Sequence, residues 1–186
     1  MYEKNHKDDW HWFEFTVTYS NAKLCEALLL AFDYTKNRNY RRIGLITLDF
    51  LTEIQWNHDY FDIVGNHGWY SYHGQKPIFD QQPIEVGYLT QAYVLAYQLT
   101  FDQKYLEFAR YAFEYFFGRN RLRAIMYDYS TGAVSDGLSA DGMSRNQGAE
   151  PVVCYLMALC AIDKYKKDAY DIVSEVDYKF IMDEVN

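Results

Sequence analysis

Two glutamates occupy matching places in two similar runs. Glu85 falls in DQQPIEVGYLTQAYVLAY, which starts at Asp80, and Glu150 falls in RNQGAEPVVCYLMALCAI, which starts at Arg145. Each run opens polar, turns apolar after about one helical turn, and carries its glutamate in that first turn. A helix N-terminus favours negative charge, so a glutamate there is expected to stay ionised unless it is buried. An ionised carboxylate suits a general base. A second carboxyl with a raised pKa would serve as the acid, and a desolvated loop residue such as Asp136 could supply it. Paired carboxylates of this kind are what cleavage of a glycosidic bond requires.

The surrounding residue types agree with that chemistry. Trp12, Glu14 and Tyr19 precede the first helical run. Trp69, Tyr70 and Gln82 precede or open the second. Asp128, Asn146 and Gln147 precede or open the third. Aromatic faces stack on the C–H faces of sugars, while carboxylates and amides grip hydroxyls, the mixed lining of a small-molecule cleft. Each residue also has a plainer use. Gln82 and Glu85 have capping-box-like spacing. Asp136-Gly137 and Asp128 to Gly132 read as turn chemistry. Trp10, Trp12 and Trp69 could be lids on a core.

The elements that position these residues follow from an internal repeat. Shifted by 65 residues, Ala31 meets Ala96 and Ala161, Tyr40 meets Tyr105 and Tyr170, Gln82 meets Gln147, and Glu85 meets Glu150. Three copies of a helical hairpin account for this, spanning about 20–56, 84–118 and 147–185 within a single domain, residues 1–186. Turns within a hairpin are short. Connections between hairpins are long, roughly 57–83 and 119–146, and loops of that length are uncommon unless functional. Short runs such as Trp69–Tyr72 could pair in them as small strands. Gly118 is placed to end the second hairpin, and Pro83 and Pro151 suit first helical turns. In an antiparallel array every long connection lies at one end, so the carboxylates, amides and aromatics gather at one rim.

Composition narrows the classes. The formal charge of −8 argues against a polyanion partner, so no nucleic acid is expected. No apolar run is long enough to span a bilayer, and MYEKNHKDDW has no apolar signal core. Cys25, Cys154 and Cys160 lie in apolar helical runs and are expected to be buried free thiols, consistent with a cytoplasmic location. His6, His11, His58, His67 and His73 show no metal-ligand spacing, so no metal and no cofactor is expected. His67 and His73 are weak candidates for a base if the reaction is a sugar isomerisation or epimerisation.

The segments WHWFEFTVTYSNAKLCEALL, FDQQPIEVGYLTQAYVLAY, YDYSTGAVSDGL and NQGAEPVVCYLMAL resemble the α/α-toroid module of the six-hairpin glycosidase-like superfamily. More narrowly they are similar to a bacterial module found alone or fused behind GT-B glycosyltransferases, over about residues 10–165. The resemblance implies an all-α toroid of inner and outer helices, with a carbohydrate site in the funnel formed by inner-helix N-termini. Hydrolysis, phosphorolysis, epimerisation and simple glycan binding all occur on such toroids, so a non-catalytic glycan-binding or structural module is the rival to a glycoside hydrolase. About three of six hairpins are present. The chain is therefore expected to be the C-terminal half of a longer protein, or to close its ring with a second copy.

Overall fold

The computed structural model describes residues 1–165. A single turn, α1 (Tyr2–Asn5), precedes the first hairpin, α2 (Ala22–Thr35) and α3 (Arg38–Gln55). The second hairpin is α4 (Ile84–Thr100) and α5 (Gln103–Glu114). Helix α6 (Ala149–Ile162) and a 3-10 turn, Asp163–Tyr165, open a third. The expected second helix of that hairpin, with Tyr170, lies outside the described residues.

The hairpin turns repeat at the 65-residue offset down to single atoms. Lys36 and Phe101 end α2 and α4 in the left-handed region, at φ 58° and 57°. Thr35 and Thr100 donate their hydroxyls to the carbonyls of Ala31 and Ala96, at 2.6 and 2.7 Å. Asn37 and Asp102 then cap α3 and α5 by accepting the N–H groups of Asn39 and Lys104. Each cap satisfies a donor that the helix start leaves unpaired.

Apolar distribution sorts the helices into two layers. Helices α4 and α6 are apolar around most of their circumference, whereas α3 and α5 carry one polar face. The former belong inside and the latter outside. Helices α2, α4 and α6 form the inner row and run parallel. Gln91 accepts from Lys23 Nζ at 3.0 Å, and Gln98 donates to the Tyr165 hydroxyl at 3.0 Å, a nearly constant sequence offset from one inner helix to the next. Tyr93 on α4 is fully buried; its hydroxyl meets Thr52 Oγ1 of α3 at 2.7 Å, and its ring packs beside Phe61 and Phe108.

The long connections are pinned to each other. Asp62, nearly buried, takes two hydrogen bonds from Arg121, at 2.9 and 2.6 Å, and one from Gln81 Nε2 at 2.8 Å. Tyr115 donates to Gln81 Oε1 at 2.9 Å, and Gln81 pairs through its backbone with Leu138. Burial alone would raise the Asp62 carboxyl; the Arg121 bonds and the Lys76 charge overcome that and hold it below its ordinary value. The loop of 57–83 is thereby fastened to the loop of 119–146.

Small strands form, with one partner that the sequence does not suggest. β1 (Thr16–Val17) pairs antiparallel with β2 (Tyr70–Ser71), so the first loop pairs with the segment before α2 instead of with itself. β3 (Leu138–Ser139) and β4 (Gly142–Met143) make a second ribbon inside the other loop. Helix α5 stops at Glu114, earlier than Gly118, because residues 115–117 tighten into turns; Gly118 follows at φ 99°. Of the three free thiols, Cys25 and Cys154 are buried, but Cys160 is exposed on the open face of α6. No helix among the described residues is long and apolar enough to cross a membrane.

Candidate functional site

Because the inner helices are parallel, their N-termini meet at one end. Glu85, in the first turn of α4, reaches back to the start of α2. Its carboxylate accepts from the Ser20 and Asn21 N–H groups and from Asn21 Nδ2 at 3.2 Å. The side chain is 2% exposed. Burial outweighs those donors and pushes the carboxyl up to about 7. The sequence expectation of an ionised base held only for an unburied carboxylate, and Glu85 is buried. Glu85 is a buried clasp between two helices, and water does not reach it.

Glu150 occupies the same repeat position on α6 and is exposed. It lies close enough to Tyr88 for its charge to act on that hydroxyl. Tyr88 is raised to about 12, first by its hydrogen bond to Cys154, then by burial and by the charges of Cys154, Glu150 and Glu85. From α2, Lys23 Nζ sits 4.6 Å above the Tyr88 ring, 2.6 Å from Glu26 Oε2 and 3.0 Å from Gln91 Oε1. Below this cluster a groove of about 510 Å³ runs along α2, α4 and α6, with Leu30, Leu95 and Leu156 in its wall.

Asp136 has a structural partner. It accepts the Gly148 N–H at 2.6 Å, at the N-cap of α6, and so supplies the cap that glycine itself lacks. The expectation of a desolvated acid has no support in this geometry, since the carboxylate is half-buried and engaged by backbone. Asp128 makes an Asx turn: the hydroxyl and N–H of Ser130, with help from Thr131, hold its carboxyl down to about 2.

The aromatic residues separate as well. Trp12 is 1% exposed and packs on Phe13 and Phe50, so it is core and cannot stack on a ligand. Tyr70 is half-buried against Trp10. Tyr19 is 58% exposed and stacks on Trp69 with ring centroids 6.0 Å apart, immediately beside the Ser20 that Glu85 holds. Asn146 and Gln147 are exposed just before α6, and Gln82 is half-buried just before α4. Glu14 is exposed in the lead-in to β1, its carbonyl accepting from Trp10 Nε1 at 2.7 Å. His67 and His73 are exposed in the first loop.

The mouth therefore gathers Tyr19, Trp69, Tyr88 and Glu150, and at the level of Tyr88 or a turn below it stand Lys23, Glu26 and Gln91. The last three and Tyr88 are absent from the sequence-based set. The repeat contained the signal: a 65-residue shift superposes Lys23 on Tyr88 and Glu26 on Gln91, marking one shared helix face.

No family model and no curated protein sequence matches the chain. Solved structures do. A cellobiose 2-epimerase from Bacillus thermoamylovorans aligns with a TM-score of 0.63 at 15% identity, over 80% of this chain and 39% of that one. A glycoside hydrolase family 76 mannosidase from Bacteroides thetaiotaomicron aligns with a TM-score of 0.58 at 16% identity, over 88% of this chain and 40% of that one. The chain thus spans about two fifths of the length of these structures. Identities this low speak to the fold alone, and that fold is a partial α/α toroid.

Proposed function

We propose that this chain is one half of a carbohydrate-processing toroid, with saccharide bound at the mouth of the inner helices. The carrying observation is the parallel inner row, which turns the starts of α2, α4 and α6 to the same end, where Tyr19 and Trp69 stack. Trp69 and Tyr19 offer a sugar platform; Gln82, Asn146 and Gln147 grip hydroxyls. Glu150 acts as acid or base at the glycosidic oxygen or sugar carbon, with Tyr88 beside it. Glycosidic cleavage needs a second carboxyl roughly 5–10 Å away. Glu85 and Asp136 are engaged elsewhere, so that group comes from whatever completes the ring. The activities of the two structural neighbours, a cellobiose 2-epimerase and a mannosidase, support a sugar ligand and make cellobiose and mannosides the first substrates to try.

The test uses cellobiose, mannobiose and aryl mannosides, read by Trp fluorescence and by product release. Binding should survive Glu150→Gln within a few-fold and be lost in Trp69→Ala. Turnover in the completed assembly should fall about 100-fold or more in Glu150→Gln. Unchanged turnover in that variant removes Glu150 from the chemistry. Saccharide binding unaffected by Trp69→Ala contradicts the location of the site.

A further inference from the structure

Among the described residues the inner row ends in two unlike uncovered flanks. Leu89 on α4 is fully buried toward α2, and Ala92 and Ala96 of the same helix are fully buried as well. The 65-residue repeat places Leu24, Ala27 and Ala31 of α2 in the corresponding positions. Leu24 is 47% exposed, Ala27 is exposed and Ala31 half-buried, because no inner helix precedes α2 among the described residues. At the other end, the flank with which Tyr88 meets Cys154 recurs on α6 at Val153, which is 52% exposed. One chain thus carries both halves of the seam that its own inner helices use twice.

We infer that the occupant of these flanks is a second copy of this chain, joined so that the α6 flank of each copy meets the α2 flank of the other. The inference rests on the ring fold and not on the sugar reading. Two identical head-to-tail seams related by a twofold axis close into one ring without leaving a free edge. Length agrees: the chain matches roughly two fifths of each solved toroid, which leaves room in one ring for a second stretch of that size. Chemistry agrees too, since both flanks are apolar and an aqueous boundary along them is unfavourable. Register follows from the internal seam. Tyr88 meets Cys154 between α4 and α6, so by the repeat Val153 of one copy meets Leu24 of the other.

The test is made on the full 186-residue chain. Native mass spectrometry and sedimentation at micromolar concentration should give a dimer, and Leu24→Glu should give a monomer with unchanged helical circular dichroism. In a Cys160→Ser background, Leu24→Cys with Val153→Cys should form a covalent dimer on mild oxidation, while either cysteine alone should not. Should Leu24→Glu fail to fold, the cross-linking result stands by itself. A monomeric wild-type chain, or a dimer that the Leu24–Val153 cysteine pair does not link, overturns the inference. A monomer that forms a stable complex only with a separate polypeptide carrying further hairpins assigns the flanks to that partner instead. Saccharide binding by a monomer would overturn the pairing and leave the sugar reading intact.

Discussion

The seam between α2 and α4 and the seam between α4 and α6 use the same repeat positions and are held differently. At the first, Glu85 clasps the backbone at the start of α2 and is buried. At the second, its counterpart Glu150 stays in solvent. The physical reason is visible at the start of α4. The donor equivalent to the Ser20 N–H is the Glu85 N–H, and that group already bonds the Gln82 carbonyl at 3.1 Å. The second seam is drawn together instead by close approach, since a Cβ on Gly87 would lie 3.0 Å from the Cys154 carbonyl oxygen. Asp136 meanwhile serves the N-terminus of α6. One repeated glutamate is buried in the seam and the other is exposed at the mouth.

Four experiments break or sharpen that contrast. The largest effect falls on the network that fastens the two loops feeding the seams. Asp62→Ala leaves Arg121 without its carboxylate and Gln81 Nε2 with only the Ile78 carbonyl, and should lower unfolding free energy by about 3–5 kcal/mol in urea titration.

The next concerns Glu85 and pH. Its carboxyl is near 4.5 when unfolded and about 7 when folded, so the native state holds the proton more tightly. The associated stability is full below about 4.5 and is lost as pH rises to about 7, amounting to about 3 kcal/mol. Asp62, whose carboxyl is lowered, acts in the opposite sense on the acid side. The difference in stability between wild type and Glu85→Gln, followed from pH 4.5 to 7, isolates the Glu85 contribution. A difference that does not vary with pH would count against a buried, proton-holding clasp.

A smaller effect is expected at the second seam. Gly87→Ala forces α6 away from α4 and should cost about 1–2 kcal/mol, whereas Ala22, at the equivalent place on α2, already carries its methyl fully buried. The smallest is Glu150→Ala, which should change stability by less than about 0.5 kcal/mol, as for an exposed side chain without structural partners.

The hairpin repeat was legible because it is written in local periodicity and in identical turn chemistry, Thr35-Lys36-Asn37 against Thr100-Phe101-Asp102. The rim followed from helix direction alone. What could not be read was which rim residues the fold would bury. Trp12 and Trp69 look alike in sequence, but Trp12 is buried against Phe50, a long-range neighbour, and Trp69 is half-buried and stacks on the exposed Tyr19. Glu85 and Glu150 are likewise distinguished only by whether a backbone donor 65 positions away is free. Pairing of Asp62 with Arg121, 59 residues apart, leaves no local pattern at all. Lys23 and Glu26 read as an ordinary solvated helix pair until α4 brings Tyr88 and Gln91 against them.

The central claim is that two equivalent glutamates divide between holding the fold and serving the ligand. Its most direct test is a side-by-side measurement of Glu85→Ala and Glu150→Ala, each scored for urea midpoint and for cellobiose or mannoside turnover in the completed ring. Glu85→Ala should lose about 2 kcal/mol of stability, with turnover falling only as the folded fraction falls. Glu150→Ala should keep the wild-type midpoint and lose turnover. The reverse assignment, or equal losses on both scales in both variants, would contradict the account.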